Sequence, residues 1–119
     1  MNETNAILND VKKMLNIPED VSEFDTDINA HINSVFFSLY QLGIEVNGNP
    51  FVINSSTSWS DLQTSVPKEV ILDYLFLKVS MVFDSPTASS VSEAYKDRIS
   101  ELEFRINIYV DDGGGNVTG

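Results

Sequence analysis

Apolar residues recur along this chain at three- and four-residue steps in four separate stretches, the spacing of one face of an α-helix. The first stretch covers about residues 5–15, where Ile7, Leu8, Val11, Met14 and Leu15 share a face. Asn2 or Thr4 is placed to cap it. Ile17–Pro18 ends it, because the residue before a proline avoids the helical region. The second stretch covers about residues 26–42, with Ile28, Ile32, Val35, Phe36, Leu39 and Leu42 as its stripe. Asp25 or Thr26 is the expected N-cap, and Asp27 suits the positive helix start. Phe24 is placed to staple onto the first turn, and Gly43 reads as the glycine just past the helix end.

The third stretch, about residues 67–83, is apolar nearly all round. Only Lys68, Glu69, Asp73, Lys78 and Ser80 interrupt the apolar residues of this stretch. A helix of that kind is buried on most sides and is expected at the centre of the fold. Pro67 is tolerated in its first turn and Ser65 is a candidate cap. After a break at Asp84-Ser85-Pro86-Thr87, the fourth stretch covers about residues 90–108. Ser90-Val91-Ser92-Glu93 has the pattern of a capping box. Val91, Ala94, Tyr95, Arg98, Ile99, Leu102 and Ile106 make its stripe.

Residues 44–65 have another character. Asn47-Gly48-Asn49-Pro50 is a turn cluster. Phe51-Val52-Ile53 and Thr57-Ser58-Trp59 have strand-like composition, so a short β-hairpin and an ordered long loop both fit. Ser60-Asp61-Leu62 suits a short helical turn. At the other end, Gly113-Gly114-Gly115 and its polar neighbours cannot build a core, and ordering three glycines is entropically costly. The expected fold is therefore all-α. It is a small bundle of about four helices, with a long loop between the second and third. Residues 1–110 form one helical domain and residues 111–119 a flexible Gly-rich tail.

Composition narrows the function more than the fold. The 119 residues suit one domain, and 42% of them are hydrophobic, enough for a core. The formal net charge is −11, from 18 acidic and 7 basic residues. Such a surface repels phosphates, which argues against binding nucleic-acid backbones or anionic membranes. There is no cysteine, which excludes disulfides, thiolate zinc sites and a cysteine nucleophile. The first twenty or so residues carry Lys12, Lys13, Glu19 and Asp20, unlike the apolar core of a signal peptide. The apolar run around Val79–Phe83 is too short to span a bilayer. A soluble intracellular protein is expected, with no membrane partner.

Candidate chemistry is sparse. His31, the one histidine, shares a helix face with Asp27, but this is half a metal site with no second histidine or cysteine to complete it. His31 beside Ser34 or Ser38 lacks the strained turn and oxyanion donors of a serine hydrolase. Glu23, Asp25 and Asp27 are explained by helix capping and dipole compensation. Glu101 and Glu103 fall on different faces of one helix. The glycine run has no lysine and opens no helix, so it is not a phosphate loop. No catalytic, cofactor-binding or metal site is expected. Trp59 in the long loop serves either as a plug over the helices or as an interface anchor.

The order of residues says more. The run Phe24-Asp25-Thr26-Asp27-Ile28-Asn29-Ala30-His31-Ile32-Asn33-Ser34-Val35-Phe36, followed by Leu39 and Gln41-Leu42-Gly43, resembles the head–tail connector (adaptor) proteins of tailed bacteriophages. So do Ile7–Leu15 with Asp20, Trp59-Ser60-Asp61, Tyr74–Val79 with Phe83–Thr87, and Ile99–Asn107. The likeness is one of pattern over nearly the whole chain, not of a chemical signature.

That resemblance implies a helical bundle whose copies form a dodecameric ring in the virion, at the head–tail junction, after synthesis in the host cytoplasm. The ring docks beneath the portal protein, extends the DNA channel and presents a platform to a stopper or tail-completion protein. DNA passes through the lumen without specific binding, and the acidic charge agrees with this. A closed head-to-tail ring also gives a use to surplus apolar surface on the third helix. The candidate contact residues are Phe51, Val52, Ile53 and Trp59 in the loop, Tyr74 and Lys78 on the third helix, and Tyr109 and Val110 near the end. A small acidic helical adaptor or regulatory module binding a cellular protein is the competing reading, separated from the first by self-association.

Overall fold

The apolar stripes close on one another as four helices: α1 (Ile7–Met14), α2 (Asp25–Gln41), α3 (Lys68–Phe83) and α4 (Ser89–Val110), with a 3-10 turn at Trp59–Asp61. The computed structural model describes residues 6–83 and 87–111. Among these there is no β-strand, so the protein is an all-α bundle. The expected Gly-rich tail falls almost wholly on residues 112–119, outside the described residues, as do Asn2, Thr4 and most of the 84–87 break.

The nearly all-apolar helix is the hub. α3 packs against α1, α2 and α4. Ile71, Tyr74, Leu75 and Val79 are each fully buried there. They meet Ile7 and Val11 from α1, Ile28, Ile32 and Phe36 from α2, and Leu102 and Ile106 from α4 in one core. Each such side chain contributes roughly 1.5–3 kcal/mol by leaving water.

The helix starts differ from the sequence expectations. Asp25 and Thr26 do not cap α2; Phe24 does, its carbonyl accepting from Ile28 N–H at 2.9 Å. Phe24 itself stands at the cap position and meets Phe83 of α3 edge-on, with ring centroids 5.7 Å apart. The Ser90–Glu93 capping box does not form. α4 begins at Ser89 behind Ala88, so the box residues are already inside the helix. A capping box forms instead at Ser58–Asp61, where it starts the 3-10 turn. Ser65 is also diverted: its hydroxyl donates to the Tyr109 carbonyl at 3.1 Å.

Two helix ends share one device. Gly43, at φ +109°, follows α2. Its N–H donates to Tyr40 O at 3.0 Å and Ile44 N–H to Leu39 O at 2.9 Å, the Schellman pattern. Asn16, at φ +63°, closes α1 the same way, with Asn16 N–H on Lys13 O and Ile17 N–H on Lys12 O. Asparagine tolerates this left-handed conformation better than other side chains do. A Cβ on Gly43 would lie 2.6 Å from Val110 Cγ1, so here glycine is needed for space as well as for φ.

The long loop takes the ordered-loop form. Residues 51–53 alternate as a strand would, with Phe51 and Ile53 buried and Val52 exposed. Their backbone finds no partner strand. Asn33 of α2 substitutes for one: Ile53 N–H donates to Asn33 Oδ1 at 2.7 Å, and Asn33 Nδ2 donates back to Ile53 O at 3.2 Å. Phe51 meets Phe36 edge-on at 5.1 Å. Further along, Ser58 bridges to Ala6, and Ile7 N–H donates to Thr57 O at 3.0 Å, which ties the start of α1 to the loop.

Candidate protein-interaction surfaces

The eight expected contact residues divide sharply by burial. Phe51, Ile53, Trp59 and Tyr74 lie inside the fold. Val52 and Tyr109 are exposed, and Lys78 and Val110 are half-buried. The side chains free to meet a partner are therefore fewer than the sequence suggested.

Trp59 acts as a plug. Its indole N–H donates to Asp10 Oδ2 of α1 at 2.6 Å. Lys68 of α3 sits 3.8 Å from the same carboxylate and 5.6 Å from the indole ring centre. One aromatic residue thus joins loop, α1 and α3, and its polar handle is satisfied.

Tyr74 is similarly committed. Its hydroxyl donates to Glu103 Oε2 of α4 at 2.7 Å. Burial first, then the Glu103 hydrogen bond and charge, raise its pKa well above the ordinary tyrosine range. Glu101 accepts from Arg98 at 3.1 Å and Arg105 at 2.8 Å, and these guanidinium groups hold its carboxyl below the usual range. Arg98 also reaches Asp73 of α3 at 3.0 Å. Glu103 and Asp73 thus serve the α3–α4 seam, while Glu101 pairs with two arginines of its own helix.

His31 stands half-buried on α2. Among the described residues, no group of three or more His, Cys, Asp or Glu side chains could hold a metal. Likewise, no helix there is long and apolar enough to cross a membrane.

One buried charge had no counterpart in the sequence reading. Lys12 is 1% exposed. Its ammonium donates to the carbonyls of Val21 at 2.6 Å and Glu19 at 3.1 Å, and lies 2.8 Å from Asp25 Oδ1. The contact with Asp25 is an ion pair by proximity more than an aligned hydrogen bond. Lys12 thereby fastens the 15–24 connection to both α1 and α2. It also fixes the acidic segment Glu23–Asp27 on the surface, where Glu23 and Asp27 are exposed. An amphipathic period gives no means of telling such a lysine from a solvated one.

The apolar surface available to partners lies elsewhere. Phe104 is 66% exposed, and Ile108, one helical turn further on, is also exposed, with Tyr109 beside it. On α3, Val82 is 63% exposed. It opens onto a shallow depression of about 360 Å³ between α3 and α4, lined by Lys78, Met81, Val82, Lys96, Ile99 and Ser100. On α2, Phe37 is exposed and tilted against Tyr40.

A family model described as a phage connector protein matches residues 7–113 of the chain. No curated protein and no solved structure matches it.

Proposed function

The chain belongs to the phage connector protein family, and from that premise we propose that its copies close into a ring that joins the phage head to the tail. The match over residues 7–113 is the observation that carries this reading, since it spans all four helices. The ring, of dodecameric order, docks beneath the portal and presents its far side to a stopper or tail-completion protein. The protein works as a structural part of the virion and not as an enzyme.

The surface chemistry supports this role. Exposed apolar residues on α3 and α4 supply material for contacts between subunits. A net charge of −11 gives a lumen that repels the DNA backbone, so DNA slides through without adhering. Light scattering over a range of concentrations, followed by negative-stain imaging, tests the reading. Particles with a central hole are expected, either alone or after addition of the portal. A chain that stays monomeric in both settings contradicts it.

A further inference from the structure

We infer that the depression between α3 and α4 receives the acidic start of α2, Glu23–Asp27, from a second copy of this chain. Chemistry first sets the class of occupant. Met81, Val82 and Ile99 give the depression an apolar lining, and Lys78 and Lys96 add two cations to it. These are two of only seven cations in a chain with 18 acids. None of the described lining residues is acidic. Among the described residues, neither lysine is in an ion pair; Lys78 lies over the Tyr74 ring at 5.8 Å. The matching surface carries carboxylates around an apolar group.

This chain offers such a surface itself. Glu23 and Asp27 are exposed on either side of Phe24, which is 37% exposed. Among the described residues, neither acid is in an ion pair, whereas Asp25 between them is taken by Lys12 at 2.8 Å. Within its own chain the segment is already held, with Phe24 packed on Phe83 and Asp25 paired with Lys12. Both surfaces are therefore fixed on one body and unlike each other. Contact between unlike patches is head-to-tail, the geometry that closes into rings. Closure into a ring rests on the function proposed above; the pairwise contact does not.

Charge reversal with exchange of partners tests this. One variant carries Lys78→Glu and Lys96→Glu, and a second carries Glu23→Lys and Asp27→Lys. Each alone is expected to self-associate at least about tenfold more weakly than the native chain, since two charge pairs become repulsive. An equimolar mixture should regain association, because each variant then offers the surface the other lacks. Circular dichroism checks folding, and Lys96→Glu alone, at an exposed position, gives a milder version with a smaller loss. Variants that assemble like the native chain, or a mixture that fails to recover, overturn the inference. So does a native chain that never self-associates, or lysine variants that lose only the binding of another acidic protein. Native-like rings from both variants would refute this contact and leave the ring standing. Recovery in the mixture as open oligomers without a hole would uphold the contact and refute the ring.

Discussion

At the scale of single residues, the least visible determinant is Lys12. A buried ammonium is tolerated because two carbonyls and a carboxylate surround it. Removing it leaves Asp25 and both carbonyls without that partner. Lys12→Ala is expected to lower stability by about 3 kcal/mol, and Lys12→Met, which keeps the apolar stem, by less. Urea unfolding measures both; a loss under about 1 kcal/mol for the alanine variant would mean that the ammonium does not hold the connection. Tyr74 gives a prediction in pH. Its folded-state pKa is raised, so the protonated hydroxyl stabilises the fold fully below the ordinary tyrosine value. That contribution is lost as pH climbs through the folded pKa. Stability should hold through neutrality and fall in strong alkali. Tyr74→Phe should lose the Glu103 hydrogen bond, about 1–2 kcal/mol at neutral pH, and show a shallower alkaline decline. Unfolding curves across the alkaline range, compared between the two proteins, check the sign.

At the scale of elements, the helices were largely legible and their caps were not. Periodicity placed all four helices and singled out the third as central, because burial has to follow the apolar stripe. A cap depends on which residue tertiary contacts leave free. Asp25 was taken by Lys12, and Phe24 by Phe83. The 51–53 stretch shows the same limit. Its alternation is real, but its backbone partner is the side chain of Asn33, a residue that merely looks polar on a helix. Asn33→Ala should therefore cost about 1–3 kcal/mol. It should also speed amide exchange at Ile53 far more than within α3. Equal protection at Ile53 in both proteins would count against the clamp. Which apolar side chains stay exposed was the least legible part. Phe51, Ile53, Trp59 and Tyr74 have the composition of interface anchors, and the same apolar bulk draws them inward. Phe104 and Ile108 stand outside because they lie on the face of α4 opposite the Leu102–Ile106 stripe, two residues or about 200° further round the helix.

At the scale of the whole molecule, one helix and two side chains, Trp59 and Lys12, each join three parts of the fold at once. α3 gathers α1, α2 and α4. Trp59 joins loop, α1 and α3. The consequence is a body that presents its surfaces in fixed relative positions, which a repeating assembly requires of each subunit. The lone tryptophan makes this measurable. Its fluorescence should report the departure of α1 from the loop, and Asp10→Ala, which strands the indole N–H, should lower the unfolding midpoint. A common midpoint by fluorescence and by circular dichroism is the expected outcome.

The notch where Val110 meets Gly43 extends that rigidity into a rule about length. Because the valine methyl lies 2.6 Å from where a Cβ on Gly43 would be, the last turn of α4 packs closely against the end of α2. The start of the same helix has no such stop: residues 87–91 are all exposed. α4 is thus anchored at its far end, like a ruler read from its last mark. A residue inserted near Ser90 should only displace the exposed start. One inserted after Glu103 would turn Ile106 and Val110 by about 100° around the axis, pulling one from the core and the other from its notch.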